Sequence, residues 1–384
     1  MSFKLDKILS EPSIDVLLHS NLYYRYMIRT LRSYVLSRFG KNFVVLKYLQ
    51  VRTSKVIELR QARIEQYVRS FVEATENKRS VHVYYNNAFS PPTYGDFFNV
   101  LMLSRFLALS GLKVKFTVLD YARELHWGFL DDQQQIRFIE DQLSLARYLL
   151  PNVVDIEINT SPQNVSEKSD LDSASLLGLK LMPNGEELFL ISPYFLLCLI
   201  EKHGWDLPNG FLLDELAEPS ERAYVAWHVR KGNWDLRRDF SAESIKRDFA
   251  EIRKLFPNHS IMILSDERGL EQVFSILAGA KRVAEFELEG VSVFRQPHDG
   301  FKSAISLSLG SEFYFQRSGG GLGQVPIYSH TPYLQICPDY TGFLGKDRVS
   351  LVPWAQPNQT FHHIWGDIDK PSISQLMPRG SNEV

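Results

Sequence analysis

Three short clusters hold most of the residues whose types and spacing suit chemistry. His228-Val229-Arg230-Lys231-Gly232-Asn233 follows the apolar run Ala223–Trp227. Ser265-Asp266-Glu267-Arg268 follows Ser260–Leu264, and Arg317-Ser318-Gly319-Gly320-Gly321 follows Glu312–Phe315. Each cluster therefore stands at the end of a short buried strand. Cations in such a place are costly unless a negative group meets them. Arg230 can make paired, charge-assisted bonds to phosphate oxygens. The glycine run lets backbone approach an anion closely, and N–H groups at a helix start point toward it. Asp266 or Glu267 can accept bonds from a base or a ribose. A nucleoside diphosphate would satisfy all three clusters together. Each cluster alone also has a plainer account. The glycines could form a tight turn, Ser-Asp-Glu a helix cap, and Arg230 an internal salt bridge.

These residues need a sheet whose strand ends share one edge, where ligands of open α/β sheets collect. The pattern supplies one in the second half of the chain. Strand Ala223–Val229 leads to helix Ala242–Leu255, and strand Ser260–Leu264 to helix Leu270–Leu277. Strand Arg282–Phe286, helix Lys302–Leu309, strand Glu312–Phe315 and strand Tyr333–Cys337 follow. The first half repeats the theme. VHVYYN (Val81–Asn86) is a strand, Phe97–Gly111 an apolar helix, and KVKFTVLD (Lys113–Asp120) the next strand. Strand, helix and strand in so short a span predict a parallel sheet. Gln133–Leu150 reads as a helix, Val153–Asn159 as a strand, and Phe189–His203 as a helix. The turn-rich GWDLPNG (Gly204–Gly210) marks a boundary. Four regions are expected: a basic helical region (1–80), a Rossmann-like domain (81–207), a second such domain (208–345) and an irregular tail (346–384).

A chain of 384 residues is long for one core. Its net charge of −2 conceals an asymmetry. Arg25, Arg29, Arg32, Arg38, Lys41, Lys47, Arg52, Lys55, Arg60, Arg63 and Arg69 crowd residues 16–70, opposed there by Glu58 and Glu65. The same stretch is rich in Leu and Tyr. A basic, aromatic helical segment suits an anionic membrane surface, and equally a helix packed on its own domain with a solvated basic face. No nucleic-acid motif accompanies the charge, so no nucleic-acid partner is expected. No apolar run is long enough to span a bilayer, and the N-terminus lacks the pattern of a secretory signal. Cys198 and Cys337 read as buried free thiols, which suits a reducing cytoplasm. No Cys and His spacing suits a metal.

The motif His228-Val-Arg230-Lys-Gly232-Asn233 resembles the His-x-Arg motif of the α1,6-fucosyltransferases, including the Nod-factor enzymes, and that of the protein O-fucosyltransferases. Ser265-Asp266-Glu267 resembles their Ser/Thr-Asp-Asp element, and Ser318-Gly319-Gly320 their final Ser-x-Gly turn. The similarity runs from about Tyr224 to Cys337, with order and spacing in agreement. It implies a GT-B fold, with two Rossmann-like domains facing a cleft. It implies inverting transfer from a GDP-sugar, GDP-fucose first, with no metal and no other cofactor. On that resemblance Arg230 binds the β-phosphate, and His228 supports the same loop or contacts the donor. Asp266 touches the nucleoside, and Ser318 to Gly320 cradle phosphate. Lys231, Gly232, Asn233, Asp235, Ser265, Glu267, Arg317 and Gly321 complete the expected donor site. Lys231 stands where the family has Arg, and Glu267 where it has Asp, which leaves the base and sugar of the donor open.

Inversion in one displacement needs a base facing the acceptor. Tyr94-Gly95-Asp96 opens the first long helix and resembles the Gly-Asp turn of GT-B heptosyltransferases. Asp96 is the first candidate, with a helix cap as its plainer role. His126, in ELHWG, is the second, and a core or surface histidine is the alternative. Asp131-Asp132 reads as a helix start. His362 and His363 lie in the tail and could close the cleft. The expected acceptor is a glycan, such as a cell-envelope polysaccharide precursor, met in the cytoplasm or on the inner membrane face. A non-catalytic protein that binds sugar nucleotides or glycans is the competing class. A heptosyltransferase-like enzyme using an ADP-sugar is a further alternative.

Overall fold

The computed structural model describes residues 65–75, 80–86, 94–119, 132–150, 154–159, 185–218, 222–229, 241–279, 291–317, 321–338, 353–364 and 371–377, less 67, 74 and 266. It is a mixed α/β protein with two parallel sheets.

The first sheet has three strands in the order β1 (Ser80–Asn86), β2 (Lys113–Leu119), β3 (Asp155–Asn159). Strand alternation decides its faces. Val81, Val83 and Tyr85 enter the core, as do Val114, Phe116 and Val118. His82 lies on the other face, hydrogen-bonded through Nε2 to Thr117 Oγ1 at 2.7 Å.

Helix α1 (Tyr94–Leu109) is apolar on every side, and such a helix must be buried. Phe97 packs edge-on against Tyr85 and Phe116 of the sheet. Phe106 lies against Trp205 and Phe211, and Phe98 against Tyr328 of the second half. Gly111, at φ +89°, ends the helix in a left-handed turn that an L side chain would strain. The Gly111 N–H donates to Ala108 O and the Leu112 N–H to Leu107 O. Helices α2 (Asp132–Leu149) and α3 (Gly185–His203) also belong to this half.

The crossing segment is pinned to α1 by Arg105. Its guanidinium donates to the carbonyls of Gly210, Phe211 and Leu149, and meets Glu215 Oε1 at 2.6 Å.

The second sheet has six strands: β4 (Tyr224–His228), β5 (Ser260–Ser265), β6 (Val291–Arg295), β7 (Phe313–Arg317), β8 (Tyr333–Pro338) and β9 (Gln359–Ile364). All pair in parallel, in the order β6-β5-β4-β7-β8-β9. The chain winds outward from β4 through β5 to β6. It then returns to the other side of β4 and winds outward again. This is the doubly wound order of dinucleotide-binding sheets.

Helices α4 (Ala242–Leu255) and α5 (Glu267–Leu277) cover one face, where Trp227, Ile263, Phe315 and Leu334 meet Ile245, Ile252, Val273 and Phe274. Ser241 caps α4, its hydroxyl accepting from the Ser244 N–H. The other face carries Ala226, Leu264, Tyr314 and Tyr333, with helix α6 (Gln296–Leu309) against it. These residues belong to one apolar core that continues into the first sheet.

Val291–Arg295 is a parallel strand that the sequence pattern did not single out, and the expected strand at 282–286 lies outside the described residues. One expectation is corrected. The tail is not wholly irregular, since it supplies β9 and the short helix α7 (Ile373–Leu376). Ser372 and Gln375 form a capping box on α7, and Ile373 is buried against the α4 face. The basic region before Glu65 lies outside the description. Among the described residues, no helix is long and apolar enough to cross a membrane.

Candidate ligand site at the strand crossover

Strand order reverses between β4 and β7, and in sheets of this order the crevice that takes ligands lies beyond the strand ends at that point. Strand β4 ends at His228, and β7 ends at Arg317. Strand β5, which ends at Ser265, is the next neighbour of β4. The strand ends that lead into the three sequence clusters thus meet at one edge, around the crossover.

Of the expected site residues, His228, Ser265 and Arg317 are described with their side chains. Asp96, Glu267 and Gly321 are placed by backbone alone, at the start of α1, at the start of α5, and at the head of a 3-10 turn (Gly321–Gln324). Arg230, Lys231, Gly232, Asn233, Asp235, Asp266, Ser318, Gly319, Gly320 and His126 lie outside the description.

His228 is buried, and its Nδ1 shares a 2.9 Å hydrogen bond with Tyr314 Oη on β7. The bond spans the crossover and fixes the ring.

Ser265 departs from its expected role. Its hydroxyl is buried and donates to Val229 O, while the Val229 N–H donates to Leu264 O. It thus holds the first residue beyond β4, where the loop bearing Arg230 begins.

Arg317 departs too. It is wholly buried and faces α4, not the crevice. Nε donates to Asp248 Oδ2 at 2.7 Å, and Nη2 to Asp248 Oδ1 at 2.6 Å and to Pro371 O at 3.0 Å. The physical reason is alternation: Phe315 and Arg317 share the α4 face of β7. A guanidinium with no access to water needs a carboxylate, and α4 brings Asp248. Burial raises the Asp248 carboxyl above its ordinary value, and the Arg317 bonds oppose that rise. Arg317 therefore anchors the end of β7 at the entry to the glycine run.

The 3-10 turn after that run rests on two glutamines. Gln335 of β8 donates from Nε2 to Gly323 O. Gln316 of β7 lies so close to Gly323 that a Cβ there would stand 1.8 Å from Gln316 Oε1. The turn is also tied to the first half. Asn99 Nδ2 donates to Gln324 Oε1 at 3.4 Å, and Tyr328 Oη donates to Asn99 Oδ1 at 2.9 Å. Asp96 stands one turn before Asn99 in α1. The start of α1 and the glycine turn are therefore neighbours.

Sequence reasoning missed Tyr314, Gln316, Gln335, Asn99 and Asp248. A signal existed for the glutamines. FYFQR and YLQICP each carry one amide among mostly apolar residues. His362 is placed away from the crevice, its ring hydrogen-bonded to Leu376 O of α7. Among the described residues, His, Cys, Asp and Glu form no group of three that could hold a metal.

No protein-family model, no curated protein and no solved structure matches this chain.

Proposed function

We propose that the chain is a glycosyltransferase whose sugar-nucleotide donor lies across the crossover between β4 and β7. The observation that carries the reading is the strand order. Strands β4 and β7, which lead in sequence to Arg230 and to the glycine run, flank the crossover at which sheets of this order bind nucleotides. The two sheets, joined through α1, would then be the two halves of a GT-B enzyme. The donor would be a GDP-sugar, with GDP-fucose the leading case, and the acceptor a glycan.

The chemistry follows from the parts. An acceptor oxygen bonds to the anomeric carbon as the bond from that carbon to the diphosphate breaks. The electron pair leaves on the diphosphate. Arg230 and backbone N–H groups of the glycine run stabilise that growing charge. The acceptor proton passes to a base, for which Asp96 at the head of α1 is the first candidate and His126 the second. Ser265 and Arg317 hold the ends of β4 and β7 in place.

The test is turnover. Wild type is incubated with labelled GDP-fucose, GDP-mannose and an ADP-sugar, with and without a glycan mixture, and release of diphosphate is followed. Faster release with glycan, reduced about 10²-fold in Arg230→Ala, is the expected result. Tight binding of donor with no release in any mixture would refute the enzyme and leave a binding protein. Turnover of the ADP-sugar alone would refute the GDP assignment.

A further inference from the structure

The side chain of Gln316 is wholly buried, and neither its Oε1 nor its Nε2 has a hydrogen-bond partner. Among the described residues it is the only side chain with two such atoms. A buried amide in that condition lowers stability, while an apolar residue of its size would not. Such a departure from good packing is the kind that function retains.

Its place is specific. In the strand register Gln316 lies beside His228 of β4 and Gln335 of β8. The three form one polar row across the crossover, on the sheet face that shares its core with α1. His228 has Tyr314, and Gln335 has Gly323 O. Gln316 has nothing. The glycine turn lies against it, close enough that no other residue fits at 323 without displacing the amide.

We propose that Gln316 is a ligand-contacting residue, its carboxamide reserved for the hydroxyls of the sugar carried by the nucleotide. The proposal rests on the sugar-nucleotide reading above. A carboxamide both donates and accepts, which matches a hydroxyl. Phosphate only accepts, and cations serve it better. The row faces α1, the side from which an acceptor held by the first half would approach. A sugar to be transferred must face that side. The turn Gly321–Gln324 lies against the amide and must shift for the sugar to reach it.

The experiment compares wild type with Gln316→Leu. Wild type is titrated calorimetrically with GDP-fucose, GDP-mannose and ADP-glucose, and the tightest binder and its parent diphosphate become the probes. The expected result is a melting temperature equal to or above wild type, diphosphate affinity within about threefold, and sugar-nucleotide affinity lower by about tenfold or more. If the Leu variant does not fold, Gln316→Met is measured with the same probes. Unchanged sugar-nucleotide affinity would overturn the inference and leave the transferase reading standing. Equal loss for the diphosphate and the sugar nucleotide would overturn the assignment to the sugar. If wild type binds none of the probes, the transferase reading itself falls, and the inference with it.

Discussion

Replacing Asp248 by Leu would take from the buried Arg317 guanidinium the carboxylate it pairs with. The guanidinium has no exposed surface, and Asp248 takes two of its N–H bonds at 2.6 and 2.7 Å. Without the carboxylate, the guanidinium loses both of these bonds and keeps Pro371 O among its acceptors. Arginine cannot escape by losing its proton. Breaking a buried pair from one side costs about 3–5 kcal/mol, where a surface pair is worth about 0–1 kcal/mol. For one cooperative unit of 384 residues this is a fall in melting temperature of about 4–6 °C. The opposite variant, Arg317→Met, should be milder at acid pH. Burial already raises the Asp248 carboxyl, and removing Arg317 removes the main opposing influence. The buried carboxyl can then hold a proton. A group whose folded pKa is raised contributes stability below its unfolded value, and that stability is lost as pH rises through the folded value. Arg317→Met should therefore weaken as pH rises above the ordinary carboxylate range. Asp248→Leu with Arg317→Met removes both charges and should melt within about 2 °C of wild type, or above it. Scanning calorimetry of the four proteins from pH 5 to 8 reads all of this. Wild-type stability in Asp248→Leu, or a double variant as weak as the worse single one, would refute the reasoning.

Burial pushes the Cys198 thiol from 9.0 up to about 11, against the pull of Lys202. Native Cys198 should therefore resist iodoacetamide at pH 8 and react once urea unfolds the chain. Mass mapping of its peptide checks this, and rapid native labelling would contradict it. The same raised value means that the neutral thiol's contribution to stability disappears as pH climbs from about 9 through about 11. Gly323→Ala would set a Cβ 1.8 Å from Gln316 Oε1 and force a buried amide to move. A loss of about 1–3 kcal/mol in urea unfolding is expected, and it should shrink in the Gly323→Ala, Gln316→Ala double variant. Additive losses would mean that the two residues do not press on each other.

Strands β1, β2, β3, β4, β5, β7 and β8 were legible because each is a short apolar or alternating run with turn residues after it. Strands β6 and β9 were not. The sequence before β6 offers RVAEF as a competitor to VSVFR, and local pattern does not choose between them. Strand β9 reads QTFHHI and pairs with one neighbour only. Its buried Gln359 looks wrong for a strand until its amide is seen donating to the carbonyls of Ser329 and Thr331. The strand ends of the site were legible as charge after apolar runs. The fate of each charge was not. Arg317 looks free for phosphate until α4, far away in sequence, delivers Asp248. Gln316 gains meaning only when the register sets it between His228 and Gln335.

A nucleoside diphosphate at the crossover between β4 and β7 can be sought by calorimetric titration of wild type and Arg230→Ala with GDP, UDP, ADP and CMP, EDTA present throughout. Wild type should bind GDP, with affinity lower by about tenfold or more in the variant. Binding of none of the four would mean that the cations beyond β4 are paired within the protein, and would contradict the account.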